Sequence, residues 1–249
     1  MRGPRVILVI VISAFAAVVA AQQKPPAPSS PGQAKSPDAK LAEQREPGLY
    51  MTLETEKGAI TCKLFEKEAP QTVRAIVGLA LGKKPYTDPR TRQRVTGRRF
   101  YDGLIFHRVI PNFMIQGGDP LGSGTGDVGF TIPAEFRKEL NFDVPGRLAM
   151  ARLPTGINTA SSQFFITEVP YPYLNQQYTI FGQCGNLDVV KAIARVPRDQ
   201  NDRPRTLVHM KRVIIERVGP VPPDAPEATP AAKAPGKKSA KKAPAKKSS

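Results

Sequence analysis

Residues 106–119 read FHRVIPNFMIQGGD, and this run predicts two short strands joined by a turn at Pro111 and Asn112. Because side chains alternate along a strand, Arg108 is expected to face away from His107. An arginine close to two phenylalanines, a methionine and a glutamine suits a groove that binds a peptide, whereas the alternative is an arginine held in a structural ion pair. His107 stands among apolar residues, which predicts a buried histidine whose hydrogen bonds are satisfied.

Short stretches of alternating apolar and polar residues on both sides of this run predict a mainly β fold. Residues 49–64 predict a hairpin with Gly58 at its turn, and further strands are expected at 148–151, 163–167, 178–183 and 206–218. One helix is expected from Pro70 to Gly82, and a second helix is expected to begin with Asn186 as its N-cap. Many short strands with only two helices favour an antiparallel barrel or sandwich.

The amino-acid composition limits the classes of protein to which the chain can belong. It has 249 residues with 2 cysteines and 2 histidines, which argues against zinc fingers, small disulfide-stapled domains and most metallohydrolases. The formal net charge of +16 is concentrated in two places. One is the stretch 83–99, which contains prolines without periodicity and is predicted to be an exposed basic loop. The other is the segment 222–249, which has seven Lys against one Asp and one Glu.

The ends of the chain differ in composition from its middle. Residues 1–21 have two arginines followed by an apolar run, which predicts a secretory signal peptide, and the alternative is an uncleaved membrane anchor. Residues 22–47 are expected to form a disordered linker, 48–219 one folded domain, and 220–249 a disordered basic tail. The signal peptide argues against nucleic acid as a partner. Anionic membranes or cell-envelope polymers are the expected partners of the tail, and a tail that only aids solubility is the alternative.

Three further patterns have simple structural explanations. Residues 124–129 match G-x-G-x-x-G, but a proline at 133 blocks the helix that a nucleotide site requires, so a surface loop is expected. Ser123 or Ser162 could be grouped with His107 and Asp119 as a hydrolytic triad, but no G-x-S-x-G motif is present. Cys62 and Cys184 could form a disulfide after export or remain two buried thiols, and the sequence leaves both possibilities open.

Five motifs, in order and with compatible spacing, closely resemble the cyclophilin family of peptidyl-prolyl cis-trans isomerases. They are FHRVIPNFMIQGGDP at 106–120, the glycine-rich loop that follows, LAMA at 148–151, SQFFI at 162–166 and YTIFG at 178–182. The resemblance covers residues 49–218, and the basic loop is similar to that of some exported bacterial members. It implies a closed eight-stranded antiparallel β-barrel capped by two α-helices, and an enzyme that needs no metal or cofactor.

The resemblance also implies a set of site residues. Arg108 would be the catalytic arginine, acting with Phe113 and Gln116. The substrate-binding residues would be His107, Met114, Ala151, Arg152, Gln163, Phe165, Tyr173, Leu174 and Tyr178.

Three of these positions depart from the family pattern. Tyr173 stands where many members have tryptophan, which argues against tight cyclosporin binding. Tyr178 stands where they have histidine, and Arg152 replaces an asparagine whose backbone contacts the peptide.

The expected protein is therefore an exported monomer, periplasmic or extracellular, that speeds the rotation of Xaa-Pro bonds in unfolded or partly folded proteins and so assists their folding. The alternative function is a non-catalytic chaperone module that binds proline-containing polypeptides and carries a polycationic tail.

Overall fold

A computed structural model describes residues 45–221 of the chain. The predicted signal peptide, almost all of the predicted linker and residues 222–249 of the basic tail lie outside the described residues. Within residues 45–221, no helix is long and apolar enough to cross a membrane.

Ten strands and two α-helices make up the described chain. The strands are β1 (Gly48–Thr55), β2 (Gly58–Leu64), β3 (Tyr86–Thr87), β4 (Arg94–Val95), β5 (Phe106–Ile110), β6 (Met114–Gly117), β7 (Arg147–Met150), β8 (Phe164–Thr167), β9 (Ile180–Cys184) and β10 (Met210–Val218). The helices are α1 (Pro70–Ala80) and α2 (Leu187–Ala194), and Pro172–Leu174 forms one 3-10 turn. The mainly β fold with two helices is confirmed.

The predicted hairpin at 49–64 is confirmed as β1 and β2. Leu49, Met51 and Leu53 are completely buried, and each pairs with a residue of β2 across an antiparallel ladder. The alternation therefore gives this part of the sheet one face in the core. Cys62 lies directly opposite Cys184 of β9, and the two form a disulfide, which settles the alternative that the sequence left open.

Eight antiparallel strands form one curled sheet in the order β10-β1-β2-β9-β7-β8-β6-β5, and this sheet is open. In the described residues, the edge strands β5 and β10 meet at their first residues, through a bridge between Ile105 and His209 and a bond from the Phe106 N–H to the Val208 carbonyl at 3.0 Å. The outer edge of β5 bonds instead to the segment before β10, where the Val109 N–H donates to the Asp202 carbonyl at 2.8 Å. The prediction of a closed barrel was wrong, because that segment lies along β5 and leaves the sheet as a half-barrel.

The two helices pack apolar faces against the core, and their N-termini are stabilised in different ways. Helix α1 begins at Pro70 as predicted, and its first N–H groups are bound by a distant carboxylate: Gln71 and Thr72 donate to Glu135 at 3.0 and 2.9 Å. Asn186 occupies the N-cap of α2 as predicted, but its side chain makes no capping bond. Its amide donates instead to the Ala59 carbonyl at 2.9 Å, because its left-handed backbone turns the side chain toward β2.

The predicted basic loop at 83–99 contains some regular structure. Strands β3 and β4 pair within it, and Tyr86 is buried against Phe100 in an edge-to-face contact of 4.8 Å between ring centroids. The expectation of an irregular exposed loop was therefore correct for the exposure of Arg90, Arg92, Arg94 and Arg98. It was wrong for the base of the loop, since the Tyr86 side chain anchors it to the core.

Candidate active site

A shallow pocket of about 200 Å³ lies on the outer face of the sheet, away from the main core. Its lining brings together most of the predicted site residues: Arg108, Phe113, Met114, Gln116, Ala151, Arg152, Phe165, Leu174 and Tyr178. The strand register explains why they meet. Arg108 of β5 pairs with Gln116 of β6, Gln116 pairs with Phe165 of β8, and Phe165 pairs with Ala149 of β7. Directly paired residues share one face of a sheet, so these side chains form a continuous row.

The floor of the pocket is a small apolar cluster, separate from the main core. Met114 and Phe165 are almost completely buried in it. The Phe165 ring stacks on Phe142 at 5.9 Å and meets Tyr178 edge-to-face at 5.4 Å. Because these rings fix one another, the floor offers a preformed apolar surface that suits a small ring such as proline.

The pocket contains two arginines that differ in what binds them. Arg152 donates from Nε to the Gln177 carbonyl at 2.8 Å, and its guanidinium lies over the Tyr178 ring at 4.9 Å. The Arg108 side chain donates no hydrogen bond within residues 45–221, and its one ion pair there joins Nε to Asp202 Oδ2 at 3.7 Å. Its side chain is 45% exposed. Arg108 therefore has free donors facing the pocket, whereas Arg152 is used to hold the surrounding loops.

The two predicted glutamines connect this pocket to a second one of about 250 Å³. Gln116 donates from Nε2 to Gln163 Oε1 at 3.1 Å, and Gln163 donates in turn to the Gly124 carbonyl at 3.0 Å. Gln116, Ala151 and Arg152 line both pockets. The two pockets are thus adjacent, and together they form one groove along the outer face of the sheet.

The glycine-rich motif at 124–129 forms one wall of the second pocket and has no helix after it, as expected for a surface loop. The loop wraps around Asp119, whose carboxylate accepts the N–H groups of Leu121 and Ser123, both at 2.8 Å. A Cβ atom at Gly126 would lie only 1.8 Å from Asp119 Oδ1, so glycine is required there. The motif therefore serves the geometry of the loop.

His107 lies behind the groove rather than in it. It is buried and lines neither pocket, and its Nε2 would lie 3.6 Å from a Cβ atom at Gly124. Neither ring nitrogen has a hydrogen-bond partner in the described chain, so the prediction of a satisfied histidine was wrong. Burial among apolar groups lowers the pKa of His107, and nearby Asp119 opposes this by raising it. With no bond from His107 to Ser123 or Ser162, the geometry provides no triad.

Tyr173 is also outside the groove. It lies in the 3-10 turn, is 84% exposed, and lines neither pocket. Its ring contacts Tyr171 at 6.0 Å, and Tyr171 in turn packs against Phe113 at 4.5 Å. The structure therefore places Tyr173 outside both pockets, whereas Tyr171, which the sequence analysis did not single out, supports the wall of the pocket.

A buried carboxylate holds the turn that carries Phe113. Glu168, which follows β8, accepts the Asn112 N–H at 2.9 Å and one N–H of Arg195 at 2.5 Å. Arg195 also donates to Asn112 Oδ1 at 3.1 Å. Asn112 has a left-handed backbone with φ of 57°, so this network fixes a turn that few residues adopt without support.

The fold and the groove together define a class: a half-barrel β protein with a preformed apolar pocket, a hydrogen-bonding row beside it, and one arginine with free donors. A family model described as cyclophilin type peptidyl-prolyl cis-trans isomerase/CLD matches residues 50–215, and the chain belongs to this family.

Relatives of known name agree with this assignment. The chain is 45% identical over 180 residues to "Peptidyl-prolyl cis-trans isomerase B" of Streptomyces anulatus, which covers 71% of this chain and 99% of that protein. It is 46% identical over 167 residues to "Peptidyl-prolyl cis-trans isomerase A" of Mycobacterium tuberculosis, covering 66% and 90%. A crystal structure of a Cryptosporidium parvum cyclophilin type isomerase, determined in the presence of the dipeptide Ala-Pro, matches with a TM-score of 0.58 and 29% identity over 68% of this chain and 99% of that one.

Proposed function

We propose that the groove beside Arg108 is where this chain, a peptidyl-prolyl cis-trans isomerase by family, speeds the rotation of Xaa-Pro bonds in unfolded or partly folded polypeptides. A purely non-catalytic binding role is not favoured, because relatives that are 45% and 46% identical to this chain are named peptidyl-prolyl cis-trans isomerases. The observation that carries the proposal is an arginine with unused donors next to a preformed apolar floor.

The reaction requires only that the twisted amide binds better than either planar form. Partial double-bond character gives the Xaa-Pro bond a rotation barrier of about 18–20 kcal/mol. As the bond twists, the prolyl nitrogen loses resonance and gains a lone pair. A guanidinium that donates to this lone pair stabilises the twisted state and not the planar ones.

The residues of the groove divide this work. Phe113, Met114 and Phe165 provide the apolar surface on which the proline ring packs, next to the guanidinium of Arg108. Gln116 and Gln163 present amides to the backbone of the flanking residues. Rotation is then confined to one bond, since the chain on one side is held while the other side turns.

Substitution of Arg108 tests the assignment. We expect Arg108→Ala to fold normally and to lower kcat/KM for a short Xaa-Pro peptide about 100-fold, because one donor to the developing charge is lost. Arg108→Lys should restore only part of the activity, since lysine keeps the charge but lacks the planar fork. Arg152→Gln is the matched comparison, because its guanidinium is bound to the protein itself, and it should cost much less. The assay is NMR measurement of cis-trans exchange in the peptide. Full activity of a folded Arg108→Ala protein would contradict the proposal.

We further propose that the protein is exported and acts in the periplasm or outside the cell, in the manner of exported bacterial cyclophilins. Two features support this: the apolar run that follows two arginines at the N-terminus, and the disulfide between Cys62 and Cys184, since disulfides persist in oxidising compartments. Cell fractionation with N-terminal sequencing of the mature protein tests the proposal. A protein that stays in the cytoplasm with its first residues intact would contradict it.

The basic tail is proposed to bind anionic membranes or cell-envelope polymers. Its seven lysines against two acidic residues support this. Binding to vesicles that contain anionic lipid should weaken as salt is raised and should be lost when residues 222–249 are deleted. Equal binding by the shortened protein would leave the tail a role in solubility alone.

A further inference from the structure

The paired strands β3 and β4 and the turn between them form a small basic hairpin, residues 86–95, that the isomerase mechanism does not use. Arg90, Arg92 and Arg94 lie on it and Arg98 follows it, and all four side chains are exposed. None of these four arginines makes an ion pair within residues 45–221. The hairpin and the residue that follows it therefore present several exposed guanidinium groups close together, without acidic side chains of the described chain paired to them.

The hairpin holds these charges on a defined backbone. The Asp88 carboxylate accepts the Arg90 N–H at 2.8 Å, and the Asp88 N–H donates to the Gln93 carbonyl at 2.9 Å. The Asp88 carbonyl accepts the Arg92 N–H at 2.8 Å. The carboxylate of Asp88, the only acidic residue in 83–99, therefore bonds to the backbone of the turn. These bonds fix the backbone that carries the arginines, and the carboxylate makes no ion pair with their side chains.

The base of the hairpin is attached to the wall of the groove. The Thr87 N–H donates to the Val128 carbonyl at 2.9 Å, and Lys84 lies over the Phe130 ring at 4.1 Å. A Cβ atom at Gly129 would lie 2.6 Å from Thr87 Oγ1, so the two segments pack closely. Asp127 and Thr131, on either side of this contact, line the second pocket. The basic hairpin therefore begins where the groove ends.

We infer that the basic hairpin extends the groove into a charge-selective subsite, which favours polypeptide substrates that carry acidic residues near the proline. This inference rests on the proposed function, because it assumes that a polypeptide occupies the groove. A polypeptide is the partner that fits, since the charge adjoins the groove, whose lining contains Arg108 and Arg152 against one acidic residue, Asp127. Electrostatic attraction acts over a Debye length of about 8 Å at physiological salt, so residues beyond direct contact are also attracted.

Two pairs of peptides test the inference. All four peptides share one Ala-Pro core. Within each pair, three flanking residues are Glu in one peptide and Gln in the other. These residues come before the Ala-Pro core in the first pair and after it in the second pair. For the full chain at low salt, we expect kcat/KM for the Glu peptide of at least one pair to exceed that of its Gln partner roughly tenfold. The ratio should fall toward one in about 0.5 M salt, because the Debye length then shrinks to about 4 Å.

The variant Arg90→Gln/Arg92→Gln/Arg94→Gln should lose the preference while turning over the Gln peptide as the unchanged protein does. Its matched control is Lys57→Gln/Lys67→Gln/Lys191→Gln, which removes the same charge from exposed residues that line neither pocket of the groove. The control should keep the preference. An equal ratio in the hairpin variant and the unchanged protein, or an equal loss in the control, would overturn the inference.

Two further measurements separate the remaining outcomes. The first is the affinity of the protein for the same peptides, labelled and titrated. If the protein bound the Glu peptides more tightly than the Gln peptides but did not speed exchange, the proposed function would be contradicted and the subsite supported. Binding to vesicles with anionic lipid is measured for both triple variants. If the hairpin variant lost vesicle binding and kept its peptide preference, the hairpin would be a membrane contact and the inference would be wrong.

Discussion

Glu168 is expected to support the groove without touching substrate, and its replacement tests how the turn at Asn112 is held. Its carboxylate is 2% exposed and accepts bonds from the Asn112 N–H and from Arg195. Glu168→Ala removes both bonds and leaves a backbone donor at a left-handed residue without a partner. Phe113, the next residue, forms a wall of the pocket, so the change should reach the site.

The size of the effect follows from the two bonds. The bond from the Asn112 N–H to the Glu168 carboxylate is partly buried, and a hydrogen bond to a charged group contributes about 1.5–3 kcal/mol. The pair with Arg195 contributes less, about 0–1 kcal/mol, because the arginine side chain is 47% exposed and water screens it. We therefore expect Glu168→Ala to lower the free energy of unfolding by about 2–3 kcal/mol. Glu168→Gln keeps one acceptor oxygen and should cost about half as much.

Urea unfolding measures the stability, and peptide exchange measures the site. For a domain of this size, a loss of about 2–3 kcal/mol lowers Tm by about 5–10 °C. At a temperature where both proteins are folded, kcat/KM should fall by up to about tenfold, because a small displacement of Phe113 is enough to weaken the fit. Exposed Glu139→Ala is the matched control and should change neither value. A loss below about 0.5 kcal/mol for Glu168→Ala would refute the reasoning, since that is the effect of an ordinary surface substitution.

Two further predictions concern the disulfide and His107. Cys62 and Cys184 are separated by 122 residues, so reduction or Cys62→Ser/Cys184→Ser should destabilise the fold by about 4–5 kcal/mol in urea; no change after reduction would contradict this. Burial lowers the pKa of His107 in the folded protein, so as the pH falls this histidine takes up a proton in the unfolded chain before it does in the folded one. The free energy of unfolding should therefore decline below about pH 6.5, by at most about 1.4 kcal/mol per pH unit. His107→Phe should flatten urea midpoints between pH 7.5 and 5.5, and an unchanged slope would show that His107 is not the group responsible.

Local patterns in the sequence were sufficient to predict most of the elements. The alternation at 49–64, the proline at 70 and the strand–turn–strand at 106–119 each depend on neighbours a few residues apart, and all three were confirmed. Closure of the barrel was predicted wrongly because it depends on which distant segment lies along β5. The segment around Asp202 has no strand pattern, so nothing in the sequence indicated that it would take that edge.

The groove was predicted better than the residues that support it. The resemblance named nine residues that the structure brings to one pocket, from Arg108 to Tyr178. It did not indicate Glu168, which is 56 residues from the turn that it holds, or Asp202, which pairs with Arg108. An acidic residue at the end of a strand has many possible partners, and only the folded chain selects one. His107 was misjudged for a related reason, since satisfaction of a buried side chain depends on neighbours that the sequence does not fix.

The position of Arg108 depends on an irregularity at His107. Phe106 pairs with Gly117 and Arg108 pairs with Gln116, so β5 has one extra residue in this interval, and that residue is His107. Without the extra residue, the pairing that starts at Phe106 would place Arg108 opposite Ile115, whose side chain is completely buried. A shift of one residue moves every side chain of a strand to the other face. The bulge therefore turns Arg108 from the core toward Gln116 and the groove, and it leaves the extra residue, His107, with a buried ring.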